Sequence, residues 1–193
     1  MNVLVIPDKF KDALTAKQVI AGIGEGICSF NPDVSIYSLI MSDGGDGFLE
    51  AICNAKRGLD RVFLDTVNPL GENIRSFYLF DNTSKIAYIE LASASGLQLL
   101  VPEKRSALKT STIGTGHQIL HAAESGAQSI YVGLGGSATN DGGTGIANAL
   151  GYSFLGEGGI QIHPSGENLI NFRTIRDGRN ELIKNIKFYA VND

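Results

Sequence analysis

The fold is decided by a stretch that reads SIYVGLGGSATNDGGTG, residues 129–145. From Ser129 to Leu134 the pattern predicts a β-strand, and a glycine-rich loop follows from Gly135 to Gly143. A helix is predicted after it, through Ala149. Strand, glycine loop and helix in this order form the place where α/β proteins bind phosphate groups. Glycines let backbone N–H groups approach an anion, and the helix N-terminus adds positive potential.

The loop contains several groups suited to phosphate chemistry. Asp141 could hold Mg²⁺ or accept a proton, and hydroxyl groups nearby could donate hydrogen bonds. The sequence has no Gly-Lys dipeptide and no G-x-G-x-x-G, so a nucleotide site here would be built without either standard motif. The predicted nucleotide-binding residues of the loop are Gly135, Gly136, Ser137, Thr139, Asn140, Gly142 and Gly143.

Two further loops follow predicted parallel strands nearer the N-terminus. Ser42–Gly47 contains Asp43 and Asp46, whose carboxylates suit metal binding or base catalysis, although either could cap a helix instead. Gly44 and Gly45 lie between them and are predicted to approach a nucleotide. At the end of the first strand lies PDKFK, residues 7–11, where a lysine could neutralise a phosphate or a substrate carboxylate.

The order of elements predicts an α/β protein. Val3 to Ile6 predicts a buried strand, Thr15 and Gln18 a helix capping box, and Val34 to Met41 a second strand before another helix. This alternation predicts a parallel sheet with right-handed crossovers. Three strands then follow with short links, which predicts an antiparallel meander. They span Arg61–Val67, Ile74–Phe80 and Lys85–Leu91, and the pattern predicts a final strand at Lys187–Val191.

Composition excludes several classes of function. The chain has 193 residues, 24 of them glycine, and a net charge of −4, which argues against a nucleic-acid partner. No apolar stretch is long enough to span a membrane, and no signal peptide is apparent, so a cytoplasmic protein is expected. Cys28 and Cys53 are expected to be packed thiols in a reducing compartment, with no disulfide between them.

Two other stretches are less specific. Ser93 or Ser95 could contact a ligand or cap a helix, and the hydroxyl-rich turn that includes Thr115 could bind an anion. His117 is expected at the surface. His121 lies one helical turn further along, but no third ligand with metal spacing is apparent, so no zinc site is predicted.

Six of these motifs, in this order, resemble those of bacterial glycerate kinases of the first type. They are residues 7–11, 42–47, 68–71, 90–97, 112–116 and 133–143. The sequence has Lys9 where the family has serine, Asp12 where it has glycine, and Asp46 where it commonly has glutamate. The family's chains continue beyond this one, so the resemblance is to their N-terminal part.

The resemblance implies a kinase that uses ATP and Mg²⁺ to phosphorylate a hydroxyl of D-glycerate. It implies two α/β domains, one with a Rossmann-like or flavodoxin-like parallel sheet and a smaller one containing the meander. We expect the first to comprise residues 1–58 and 106–152, and the second residues 59–105 and 153–193.

The predicted catalytic residues are Asp8, Lys9, Lys11, Asp43 and Asp141, with Asp43 and Asp46 as metal ligands and Thr115 at the nucleotide. Which carboxylate is the base stays open. One alternative is a truncated fragment that binds nucleotide weakly or self-associates, with a homodimer left open. Another is a sugar-phosphate enzyme such as an isomerase.

Overall fold

The structure is a computed structural model that describes residues 1–7, 10 and 13–192. The strands are β1 (Asn2–Val5), β2 (Ser35–Ser38), β3 (Asp60–Val67), β4 (Asn73–Asp81), β5 (Ile86–Glu90), β6 (Ser129–Gly133), β7 (Ser153–Leu155), β8 (Thr174–Arg176) and β9 (Lys187–Val191). The α-helices are α1 (Ala16–Phe30), α2 (Phe48–Ala55), α3 (Ala92–Ser95), α4 (Ile113–Glu124) and α5 (Thr144–Ala149).

A five-stranded mixed sheet forms the centre of the molecule, in the order β3-β4-β5-β6-β9. β3, β4 and β5 are antiparallel neighbours, which confirms the predicted meander. β5, β6 and β9 are parallel, so their carboxyl ends lie at one edge. The α/β class is confirmed.

This sheet contains strands from both of the predicted domains. β5 belongs to the predicted second domain and β6 to the first, yet they pair along five residues. The sequence pattern identified each strand but could not show which strands become neighbours, because pairing joins residues far apart in the chain. The division into domains stays a prediction.

Helices cover both faces of the sheet. Alternating residues of β5 illustrate this, because Ala87 and Ile89 face the α4 side while Tyr88 faces α2. The α4 side is the larger core, and it includes Tyr78, Ile119 and Ile130. On the α2 side, Tyr88, Tyr131 and Tyr189 stack across three strands with ring centroids 5.5 and 4.4 Å apart.

β1 and β2 form a separate parallel pair beside α1. The predicted capping box is confirmed: the Gln18 amide donates to the Thr15 hydroxyl, and the Thr15 amide donates to the Gln18 side chain. Leu4 and Tyr37 lie opposite each other on the outer face of this pair and are 61% and 59% exposed. The pair therefore has one apolar face that no described element covers.

The segment between α5 and β9, where the sequence signals were weak, contains the short antiparallel pair of β7 and β8 and several 3₁₀ turns. Strands of three residues are too short to give a readable alternation. Both cysteines are free, as predicted, but Cys28 is exposed where a packed thiol was expected, and Cys53 is partly buried. None of the helices in the described residues has the length and apolarity needed to cross a membrane.

Candidate active site

The loops that follow β5 and β6 meet the Ser42–Gly47 loop where the parallel strands β5, β6 and β9 end. The Leu91 amide donates to the Gly133 carbonyl at 2.9 Å, and the Leu134 amide donates to the Val191 carbonyl at 3.1 Å. The Gly135 amide donates to the Gly44 carbonyl at 3.0 Å, which attaches the Ser42–Gly47 loop to the glycine loop after β6. The sequence predicted that both loops lie at strand ends, and the structure brings them into direct contact.

Glycine is required on both sides of this contact. Gly44 has a φ of +87°, and a Cβ there would collide with the Val191 carbonyl oxygen. A Cβ on Gly135 would collide with the Cα of Gly45. Gly44 and Gly45 are buried, so backbone packing explains their presence. Their predicted approach to a nucleotide stays a prediction.

The two carboxylates of the Ser42–Gly47 loop are exposed at this junction. Asp43 Oδ1 accepts a hydrogen bond from the Gly45 amide at 2.8 Å, which fixes the orientation of its side chain. Asp46 lies against Gly136, since a Cβ built there would collide with Asp46 Oδ1. Within the described part of the chain, no group of three or more His, Cys, Asp and Glu side chains is arranged to hold a metal ion.

Glu90 belongs to this junction as well, although it was not among the predicted site residues. This residue ends β5, and its Oε2 accepts hydrogen bonds from the Gly47 and Leu49 amides, both at 3.1 Å. Its negative charge therefore lies at the positive N-terminus of α2 and holds that end of the Ser42–Gly47 loop. The sequence signal that could have identified it was a glutamate at the end of the third predicted meander strand, at the start of the motif at residues 90–97.

The geometry argues against the predicted catalytic role of Asp141. Its side chain is 1% exposed. Oδ2 accepts hydrogen bonds from the Thr112 amide and hydroxyl, the Gly145 amide and the Ser111 hydroxyl, at 2.8, 2.9, 3.0 and 3.3 Å. Oδ1 accepts the Gly143 amide at 3.0 Å. The carboxylate thus caps α5 and binds the turn before α4, which leaves it buried and saturated with donors.

This capping also changes how the glycine loop could bind an anion. The amides of Gly143 and Gly145, which an anion would meet at the start of α5, already donate to Asp141. The more accessible part of the loop is its first half, where Ser137 and Asn140 are exposed. There the Ser137 and Thr139 hydroxyls lie 2.7 Å apart, and the Thr139 amide donates to Ser137 Oγ at 3.0 Å.

In the second half of the loop, the backbone at Gly142 and Gly143 has free space around it. Gly142 and Gly143 have φ values of +63° and +75°, and among the described atoms none lies within 4 Å of a Cβ built at either position. Gly136 also has a positive φ, +71°. The loop therefore uses left-handed conformations at three of its glycines, which glycine adopts without strain.

Thr115 does not face the loop surface. It is fully buried, its hydroxyl lies 2.7 Å from the Ser95 hydroxyl, and it donates to the Leu91 carbonyl at 3.3 Å. This geometry argues against the predicted contact between Thr115 and a nucleotide. Ser95 is fully buried too, and its carbonyl accepts a hydrogen bond from the Ala138 amide of the glycine loop at 2.9 Å.

The two histidines of α4 face the meander. His117 is partly buried, contrary to the expected surface position, and its Nδ1 lies 3.1 Å from the Thr66 hydroxyl. Burial lowers the pKa of His117 below its usual value. His121 Nδ1 lies 3.0 Å from the Tyr78 hydroxyl. Both rings therefore contact hydroxyl groups of the sheet.

Asp8, Lys9 and Lys11, which were also predicted for the site, lie outside the described residues.

The chain is similar in sequence to bacterial proteins named as glycerate kinases. The chain is 41% identical over 169 residues to a glycerate 2-kinase of Escherichia coli K12, covering 88% of this chain and 44% of that protein. It is 39% identical over 194 residues to a glycerate kinase of Bacillus cereus ATCC 10987, covering all of this chain and 51% of the relative. The chain thus spans about half the length of the curated relatives it matches.

A solved structure is similar along nearly the whole chain. It is described as a glycerate kinase 2 from Salmonella typhimurium LT2 and superposes with a TM-score of 0.80 at 34% identity. The match covers 98% of this chain and 51% of that one. The family model described as "Glycerate kinase family" matches residues 3–193, and with these relatives it shows that the chain belongs to the glycerate kinase family.

Proposed function

We propose that the loops at the carboxyl ends of β5 and β6 form part of the active site of a cytoplasmic kinase that phosphorylates a hydroxyl of D-glycerate with ATP and Mg²⁺. The observation that carries the proposal is the contact between the two loops, made by the Gly135 amide and the Gly44 carbonyl at 3.0 Å. This contact holds the exposed carboxylates of Asp43 and Asp46 beside the glycine loop. The names of the relatives support glycerate as the acceptor.

The donor groups of the site fit a nucleotide with its metal ion. The hydroxyls of Ser137 and Thr139 and the open backbone at Gly142 would bind phosphate oxygens. Asp43 and Asp46 are hard oxygen ligands, and Mg²⁺ is commonly held by one or two carboxylates together with substrate phosphates. ATP would supply the γ-phosphoryl group, and Mg²⁺ would offset the charge on its oxygens.

Asp43 is the proposed general base. The Gly45 amide holds Oδ1 at 2.8 Å, so the carboxylate is oriented before the substrate arrives. It would accept the proton of the glycerate hydroxyl as that oxygen attacks the phosphorus atom. Asp8 is retained in the proposal as a second carboxylate, and Lys9 and Lys11 as charges that neutralise phosphate or the glycerate carboxylate.

A second candidate is a fragment that binds nucleotide weakly without turnover. Two observations favour it: the chain spans about half of its relatives, and Leu4, Tyr37 and Met41 are 61%, 59% and 54% exposed. Apolar side chains exposed to this degree fit a surface that packs against further protein.

The test combines a coupled ADP-release assay with calorimetry of ATP and D-glycerate binding. We expect turnover by the native chain, and a loss of about 10²–10⁴-fold in Asp43→Asn with ATP binding retained. Asp33→Asn is the matched control, because Asp33 is an exposed carboxylate in the turn after α1 and its loss leaves turnover unchanged.

Each outcome separates the candidates. ATP binding without turnover by the native chain would support the non-catalytic fragment. Turnover that survives Asp43→Asn would remove Asp43 from the chemistry. A native chain that neither binds ATP nor turns over would overturn the kinase proposal for this chain.

A further inference from the structure

The outer edge of β3 is long and regular. Its eight residues, Asp60 to Val67, pair one to one with β4 in antiparallel register, without a bulge. β3 is the terminal strand of the central sheet, and no strand of the described chain pairs with its other side. An edge strand of this kind presents N–H and C=O groups to which another strand can pair. β3 contains no proline that would block such pairing.

The exposed face of β3 has an alternating row of large side chains. Arg61, Phe63 and Asp65 all point to this face and are exposed, with Phe63 52% accessible. The Phe63 ring lies 5.6 Å from that of Phe77, and the Arg75 guanidinium lies 5.4 Å from its centroid. A half-exposed aromatic ring with a basic residue on one side and an acidic residue on the other is thus centred on a free strand edge.

This row is complementary to itself. In an antiparallel pair of two β3 strands with the two Phe63 residues opposite each other, Arg61 of each copy lies opposite Asp65 of the other. Directly opposite residues of antiparallel strands point to the same face, so both pairs are opposite charges on one surface. We infer that this chain forms a two-fold symmetric dimer through its β3 edge, in which two five-stranded sheets join into one.

The charges select this register. Centring the pair on Arg61 or on Asp65 would place two like charges opposite each other, which is destabilising. In a pair centred on Val62 or Leu64, neither Arg61 nor Asp65 would lie opposite a residue of opposite charge. Two-fold pairing with each patch meeting its own copy is the commonest geometry of homodimers.

The opposite edge of the sheet, β9, has no self-complementary row of charged side chains. β9 is five residues long, against eight for β3, and its one charged side chain, Lys187, would face Val191 in a pair centred on Tyr189. The inference concerns β3 alone and does not depend on the proposed kinase activity.

Charge reversal provides the test, with mass measured by light scattering across a dilution series. We expect the native chain at about 41 kDa, twice its 20.5 kDa. Arg61→Glu or Asp65→Arg turns both ion pairs into like-charge pairs, and we expect either variant to weaken dimerisation roughly tenfold or more. The double variant Arg61→Glu/Asp65→Arg restores opposite charges and is expected to restore the dimer. Arg176→Glu, on the exposed strand β8, is the matched control and should leave the dimer intact.

A cross-link tests the register directly, in a background with Cys28→Ser and Cys53→Ser. Phe63→Cys lies on the two-fold axis, where paired Cα atoms are about 4.5–5.5 Å apart, within the range for a disulfide. Asp60→Cys is the control, because the same register separates its two copies by about 20 Å. Under oxidation, we expect a covalent dimer of the first variant only.

The inference is overturned if the native chain is monomeric, or if single charge reversals leave the dimer unchanged. It is also overturned if the double variant stays monomeric while its circular dichroism matches the native chain. Efficient cross-linking through Asp60→Cys would exclude this register.

Discussion

The strongest test of the structure is the substitution Asp141→Asn, which changes one charge and almost no volume. Asp141 accepts five hydrogen bonds, four at Oδ2 and one at Oδ1. An asparagine retains one carbonyl oxygen, which would turn toward the four donors at the Oδ2 side. Its NH₂ group would then face the Gly143 amide. Both groups are hydrogen-bond donors, so the hydrogen bond that Gly143 now makes would be lost.

The magnitude follows from these contacts. Leaving the Gly143 N–H without its acceptor costs about 1–3 kcal/mol, and replacing charge-assisted bonds with neutral ones adds roughly 1–2 kcal/mol. We therefore expect Asp141→Asn to lower the free energy of unfolding by about 2–5 kcal/mol. For a chain of this size, the melting temperature would fall by about 4–20 °C.

Urea unfolding followed by circular dichroism measures this change. Asp43→Asn is the matched control, since it makes the same chemical change at an exposed carboxylate and should shift stability by less than about 0.5 kcal/mol. The reasoning is refuted if Asp141→Asn is as stable as the native chain. If that variant were stable yet lost phosphoryl transfer, Asp141 would be a catalytic residue as the sequence first suggested.

Two further predictions concern the sheet and the loop contact. Burial lowers the pKa of His117, so the unfolded chain binds a proton that the folded chain resists, and stability should fall as pH drops below about 6.5. His117→Gln should flatten this decline between about pH 7 and 5, and equal slopes in melts of both proteins would contradict the assignment. Gly44→Ala should destabilise the chain by about 2 kcal/mol more than Gly47→Ala, because both have φ near +88° but only Gly44 packs against the β9 backbone. Equal losses in urea unfolding would show that backbone strain alone explains both.

Local signals in the sequence identified most of the elements. The Thr15–Gln18 capping box, the strand at Lys187–Val191 and the helix after the second strand all agree with the prediction. These features depend on hydrogen bonds and side-chain alternation within a few residues, which a linear pattern records directly. The glycine-rich loop after β6 was predicted from the same kind of local signal.

The roles of individual polar residues were less predictable. Asp141 has the sequence context of a catalytic carboxylate, yet its partner Thr112 is 29 residues away and converts it into a buried cap. Glu90 was passed over because its partners at the start of α2 lie more than 40 residues earlier. Thr115 was predicted to bind nucleotide because a hydroxyl-rich turn has the same composition whether it faces solvent or the core.

The sequence by itself determined the alternation of strands, glycine loops and helices, and with it the α/β class and the family resemblance. Only the tertiary structure decided that β5 and β6 are neighbours, that the two glycine loops touch, and that β3 is an edge. Secondary structure depends on contacts within a few residues, whereas a site depends on groups that distant segments bring together. The burial and partners of a carboxylate, and therefore its chemistry, are fixed only when the chain has folded.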